Sequence, residues 1–189
     1  GAVFLSSSAQ LDNNTFVGNV AQGASHGGGA VFVNAFISGA GPSLSNSTYT
    51  NNTALDAGGA VFLGSSAQLD GNIFVGNTAR GQRTGGGAVY VNTGISGDGP
   101  SLSNCTFTKN LALHASGGAV FLGSSAQLDG NTFVGNSGRI TGGGAVFVNA
   151  GISGAGPSLS NSTYTNNTAL DAGGAVFLGS SAQLDGNIF

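Results

Sequence analysis

The side chains in this 189-residue sequence that could do acid–base, nucleophilic or metal chemistry are few: seven carboxylates, all Asp, four Lys+Arg, two His and one Cys. A glycosidic hydrolase needs carboxylates about 5–10 Å apart. A calcium-assisted lyase needs acidic ligands and a base. Asp12, Asp70, Asp129 and Asp185 each follow a Leu at equivalent places in the chain. They recur in every second repeat of a stacked fold, about 10 Å apart, as a sparse outward column. Asp56 and Asp171 precede a Gly-Gly pair, and Asp98 falls in a loop segment. No two of these make a convincing pair, so surface solvation is their expected role. Arg80, Arg83 and Arg139 lie in variable loops, and Lys109 is isolated. His26 and His114 occupy loop positions before a Gly-Ala bend. Gly27-Gly28-Gly29 lacks the strand–helix context of a phosphate loop. Cys105 stands alone, aligned with Ser47 and Ser162, and one Cys cannot close an internal disulfide; it is a tolerated substitution or an intermolecular link. The expectation is no catalytic, cofactor-binding or metal-binding residue, and no enzyme.

Composition narrows the class. Charged residues are 6% of the chain, against about 25% in an ordinary soluble domain. A net charge of −3 with four Lys+Arg lacks the basic footprint of a nucleic-acid binder. With 40% hydrophobic residues the chain can bury a core, unlike a disordered segment. Its 36 Gly do not recur every third residue and it has only 3 Pro, which excludes collagen. No apolar run approaches the ~18 residues of a helical membrane span.

The elements that position these groups come from internal repetition. Gly-Ala-Val-Phe/Tyr begins at Gly1, Gly29, Gly59, Gly87, Gly118, Gly144 and Gly174, at intervals of 28, 30, 28, 31, 26 and 30 residues. Each interval also holds one Phe/Tyr-x-x-Asn. A Leu precedes that second aromatic by five residues throughout, while the distance from the first aromatic to the Leu alternates between 7 and 12. The longer version carries Pro42, Pro100 or Pro157. Length variation confined to two connecting loops is the behaviour of a solenoid. Short β-branched and aromatic segments between Gly, Asn and Ser clusters read as strands. The predicted fold is all-β: a right-handed parallel β-helix of about six and a half rungs with two or three strands each, spanning residues 1–189 as a single array. The true unit is a pair of rungs, short loop then long loop; residues 30–74 and 145–189 differ only at Phe36 versus Gly151.

The aromatics fall into two columns, with Phe36 alone outside them. Phe16, Tyr49, Phe74, Phe107, Phe133 and Tyr164 should stack one rung apart. Asn19, Asn52, Asn77, Asn110, Asn136 and Asn167 suit a ladder of side-chain amides. In Ala-Val-Phe-Leu/Val both faces of the strand are apolar, so one must turn outward. With the aromatics inside, Val31, Val61, Val89, Val120 and Val146 would line an external stripe for lateral association, unless a loop folds over it. The Thr, Val and Ile flanking the second aromatic would form a flat lattice. It resembles an ice-binding surface, and equally reflects ordinary β-propensity. Asn13, Asn46, Asn51, Asn104, Asn161 and Asn166 begin Asn-x-Ser/Thr sequons, acceptors for N-glycosylation in a eukaryotic secreted protein, in a chain where Asn and Thr are common anyway.

Gly-Gly-Ala-Val paired with Phe-x-x-Asn, as in Gly58-Gly59-Ala60-Val61 and Phe74-Val75-Gly76-Asn77, resembles the repeat of polymorphic outer-membrane proteins, which are bacterial autotransporter adhesins. Similar repeats occur in secreted proteins of the pectin-lyase-like β-helix class. The resemblance covers essentially the whole chain and implies an extracellular or cell-surface rod that adheres. The copies here are unusually alike and no translocator barrel accompanies them. The expected function is a non-catalytic structural protein of an extracellular filament or surface appendage. Its expected partners are further copies of itself, axially or laterally, as a fragment of a longer array or an axially polymerising unit. The competing reading is an adhesin passenger whose Gly-x-Gly-Pro ridges meet a host surface or glycans. An ice binder and a polysaccharide lyase or hydrolase are more distant.

Overall fold

Strands this short cannot stand alone; each is held by its copies one rung away. In a computed structural model, which describes residues 1–23, 27–35, 37, 41–82 and 84–189, the chain is an all-β parallel solenoid of about six turns. Each full rung contributes four strands to four separate sheets. The first sheet stacks Val3–Leu5, Val31–Val33, Val61–Leu63, Val89–Val91, Val120–Leu122, Val146–Val148 and Val176–Leu178. The second stacks Gln10–Asp12, Ser43–Ser45, Gln68–Asp70, Ser101–Ser103, Gln127–Asp129, Ser158–Ser160 and Gln183–Asp185. The third holds Thr15–Val17, Thr48–Thr50, Ile73–Val75, Thr106–Thr108, Thr132–Val134 and Thr163–Thr165. The fourth holds only two-residue strands, Val20–Ala21, Thr53–Ala54, Thr78–Ala79, Leu111–Ala112, Ser137–Gly138 and Thr168–Ala169. They are too brief to carry a readable alternation, which is why the sequence suggests fewer strands per rung.

Every pairing is parallel and in register, like residue on like position, as in Val31↔Val61, Leu44↔Leu69, Tyr49↔Phe74 and Ala54↔Ala79. The core follows from alternation along each strand. The second sheet sends its central Leu inward, the third its central aromatic and the fourth its Ala; Leu69, Phe74 and Ala79 are all buried. Rings of the third sheet stack continuously from Phe16 to Phe189 at centroid separations of 4.7–4.9 Å, which is the rung rise.

The first sheet reverses the expected orientation. Val31, Val61, Val89, Val120 and Val146 are fully buried within the main core cluster, with Val33, Leu63, Val91, Leu122 and Val148. They form no external stripe, and the lateral interface expected of them is corrected. The aromatics of this sheet point outward instead and make a second stack. Neighbouring pairs from Phe32–Phe62 to Phe147–Phe177 have centroids 4.8–5.1 Å apart. The segments returning from the fourth sheet lie over this stack. Ala57 joins the cluster of Phe62, Tyr90, Phe121 and Phe147, whose rings are only 4–8% exposed. Inward Val and Leu leave two medium side chains per strand facing the lumen, while the larger ring is buried between sheet and loop.

The Gly-Gly bend before each first-sheet strand is sterically required. Gly58 has φ +64° and a Cβ there would collide with Val61 O; a Cβ on Gly59 would collide with the carbonyl of Gly87. Both obstacles are backbone and cannot rotate away.

Candidate functional site

With the middle of both apolar stacks buried, the lateral surface left for contact is the outward faces of the second, third and fourth sheets and the loops. On the second sheet, Gln and Asp alternate with Ser and Ser from rung to rung, because Asp12 registers with Ser45 and Asp70 with Ser103. Asp12, Asp70 and Asp129 are each clasped by the long-loop rung that follows. Ser45 Oγ and Asn46 Nδ2 donate to Asp12 Oδ1 at 2.8 and 2.9 Å. Ser103 and Asn104 do the same to Asp70 at 2.7 and 3.0 Å, and Ser160 and Asn161 to Asp129 at 2.7 and 2.8 Å. Hydrogen bonds to the charged form hold all three carboxyls below the usual 3.8, led by Asn46 for Asp12, Ser103 for Asp70 and Ser160 for Asp129. A lowered folded value means that the clasp stabilises above 3.8 and is lost as pH falls through the folded value. All three groups are almost fully exposed, so that stabilisation is small.

Long loops flank this face and leave grooves beside them. One of about 620 Å³ is lined by Asp98, Gln127, Asp129, Ser160 and Gln183 with the loop backbone at Gly97 and Gly154–Gly156. A second, of about 590 Å³, includes Gln10, Pro42, Ser43 and Gln68. The long loops are pinned at their bases by the neighbouring short-loop rung: Ser124 Oγ donates to Asn92 O and accepts from Ile95 N–H, and Ser180 repeats this with Asn149 and Ile152.

The sequon asparagines are turn residues. Asn13, Asn46, Asn104 and Asn161 have φ of 48–56° at the corner between the second and third sheets, and Gly71, Gly130 and Gly186 take that corner in the other rungs. Asn51 and Asn166 do the same between the third and fourth sheets, where Gly18, Gly76, Gly135 and Lys109 (φ 54°) also sit. Asn and Gly are the residues that tolerate this backbone, so the left-handed corner accounts for the Asn column. All six are exposed.

Two polar ladders run inside these corners. In the expected one, Asn52 Oδ1 accepts from the Asn19 N–H at 3.0 Å and from its side-chain amide at 2.9 Å, while Asn52 Nδ2 donates to Phe16 O and Asn77 Oδ1, both at 3.0 Å. The pattern continues through Asn110 and Asn136 to Asn167. Sequence reasoning missed the other ladder, formed by Asn14, Ser47, Asn72, Cys105, Asn131, Ser162 and Asn187. Ser47 N–H donates to Asn72 Oδ1 at 3.0 Å, Cys105 N–H to Asn131 Oδ1 at 2.9 Å and Asn131 N–H to Ser162 Oγ at 3.0 Å. Its signal was an Asn two residues before the aromatic in every short-loop rung. Cys105 is therefore an internal ladder member: its Sγ lies 3.1 Å from Ser103 O, and burial pushes the thiol up to about 12. An intermolecular disulfide through it is sterically closed.

The other candidates do not converge. Among the described residues no group of three or more His, Cys, Asp or Glu is placed to hold a metal ion. Asp56 accepts from Thr84 Oγ1 at 2.6 Å. Asp171, His114, Arg80, Arg139 and Lys109 are exposed in loops and turns; His26, Phe36 and Arg83 lie outside the described residues. No helix is long and apolar enough to cross a membrane among the described residues.

The third sheet presents a regular outward lattice of β-branched side chains. Thr15 and Val17, Thr48 and Thr50, Ile73 and Val75, Thr106 and Thr108, Thr132 and Val134, and Thr163 and Thr165 stand in two columns in register across six rungs. Val17 and Ile73 are 61% and 45% exposed. No charge lies within these strands. Comparison of the chain with protein-family models, with curated proteins and with solved structures finds no match.

Proposed function

We propose that this chain is a non-catalytic structural rod that forms or stiffens an extracellular filament or surface appendage. On this reading the solenoid coils right-handed, as parallel crossover connections almost always do. It belongs with the pectin-lyase-like β-helices whose repeats resemble those of polymorphic outer-membrane proteins. The extracellular placement follows that resemblance. The observation that carries the reading is the uniform register: every rung pairs like on like in all four sheets, with a continuous internal aromatic stack and an Asn ladder beside it. A catalytic centre needs one rung that differs from the rest, whereas stiffness needs all of them alike.

The polar groove between two long loops favours a second reading, an adhesin passenger that binds glycans. Negative-stain electron microscopy of purified protein, with glycan-array binding on the same preparation, separates the two. Straight associated rods without glycan binding are expected. Isolated monomers that bind a defined glycan class would sink the structural reading in favour of the adhesin.

A further inference from the structure

The rod reading needs a lateral surface, and the valines expected to supply it are inside. The four sheets are not equal in what they can offer. The first is covered along its middle rungs by returning segments that bury Phe62, Tyr90, Phe121 and Phe147. The second carries Asp12, Asp70, Asp129 and Asp185 on its outer face; two such faces on copies of net charge −3 would repel. The third and fourth have no charge in their strands, but the fourth's strands are two residues long and present one outward column, whereas the third presents two columns of methyl groups and hydroxyls. Lys109, at the corner beyond it, is the one charged side chain at its border with the fourth sheet.

We infer that the outward face of the third sheet is a self-association surface, and that its occupant is the same face of a second copy, packed about a two-fold axis. A two-fold contact sets each column against itself or its neighbour, so a surface must be self-compatible. Thr/Val/Ile on a regular pleat meets that condition: it brings no like charges together and buries hydroxyls that can donate and accept across the seam. Two flat sheets with matching pleats pack face to face at about 10 Å, as in a β-sandwich.

Area sets the strength. Six rungs at about 4.8 Å and three residues at about 3.3 Å give a face of roughly 300 Å². A stable interface uses about 800 Å² from each partner. The six-rung face should therefore associate weakly and reversibly, with affinity rising as rungs are added. Such a surface bundles long rods while short ones stay soluble.

The inference rests on the rod reading, and disulfide trapping of the intact chain tests it separately. Ile73→Cys lies near the middle of the face; Gln68→Cys, exposed on the second sheet, is the control. Under mild oxidation Ile73→Cys should give covalent dimers and Gln68→Cys should remain monomeric. Adding Thr50→Lys and Thr108→Lys to Ile73→Cys should cut trapping by about tenfold or more, since charges would be buried across the seam. Wild-type association by sedimentation should persist in high salt, unlike contacts made by charge. Equal trapping from both cysteines, or trapping unaffected by the lysines, would overturn the inference. So would a monomer that shapes growing ice through Thr50 and Thr108, which would make ice the occupant. Rods visible by microscopy without trapping would reject this face and leave the rod reading standing; glycan binding with trapping intact would do the reverse.

Discussion

At the scale of single residues, the third-sheet stack contains its own experiment. Tyr49 and Tyr164 occupy positions that are Phe in the neighbouring rungs, and their hydroxyls are buried with no hydrogen-bond partner. The Ser47 hydroxyl near Tyr49 is already engaged on both sides, donating to Ser45 O at 2.7 Å and accepting from Asn14 N–H at 3.0 Å. Desolvation raises both phenols far above their usual 10, so neither ionises at any ordinary pH. An orphaned hydroxyl costs about 1–3 kcal/mol, whereas its ring stacks as well as a Phe ring, 4.7 Å from Phe74. Tyr49→Phe should therefore stabilise the chain by about 1 kcal/mol, raising Tm by about 2–4 °C in a scanning melt. A lower Tm would show that the hydroxyl is satisfied in solution. The Asn ladder is the opposite case, because each buried amide there both donates and accepts, as Asn77 does with Tyr49 O, Asn110 and Asn52.

Elements here are fixed by corners more than by strands, and two kinds of corner Gly can be told apart. Gly94 sits at φ +78° in a long loop with nothing within 4 Å of an added Cβ, while an added Cβ on Gly87 would strike the Gly118 carbonyl and the backbone of Leu111. Gly94→Ala should cost only the left-handed backbone term of about 1–2 kcal/mol. Gly87→Ala should cost about 3 kcal/mol or more, because neither obstacle can rotate aside. Urea melts of the pair measure this difference; equal losses would mean that the bend can open. The same corners explain what was legible in the sequence. Repeat spacing revealed the rungs, the inner aromatic column and the Asn ladder, because each is uniform from copy to copy. The orientation of the first sheet was not legible. Val and Phe are both apolar, and the decision lies with the segment around Ala57, which marks itself by little more than one small residue before Gly58-Gly59. The second ladder was hidden because its Asn alternates with Ser and, once, with Cys105. The outward Asp column was visible, but its clasp by Ser and Asn of the following rung depends on a register that only the stacked structure supplies.

For the whole molecule, the clasps make rung parity a structural rule. Asp70 receives hydrogen bonds from Ser103 and Asn104 one rung on, and Asp129 from Ser160 and Asn161. Each Asp rung thus requires a Ser/Asn rung after it, and long loops alternate with short ones in step. A solenoid's stability is close to a sum over rungs and their neighbour contacts, so parity can be tested by removing rungs. Deletion of residues 59–117 joins Gly58 to Gly118, preserves the Gly-Gly-Ala bend and leaves Asp12 and Asp129 clasped as before. Deletion of residues 87–117 joins Gly86 to Gly118 with an equally good bend but stacks Asp70 on Asp129. Two carboxylates would then stand about 4.8 Å apart, and Asp70 would lose both of its donors. The shorter deletion keeps one more rung, and because the stacked carboxylates are exposed their mutual repulsion is a modest penalty that shows in the pH dependence of its stability. Its Tm should recover on acidification through the carboxylate range, where one Asp takes up a proton, while that of the longer deletion should not. If acidification raises the Tm of the chain lacking residues 87–117 no more than that of the longer deletion, the clasps do not enforce the two-rung period and rungs are interchangeable.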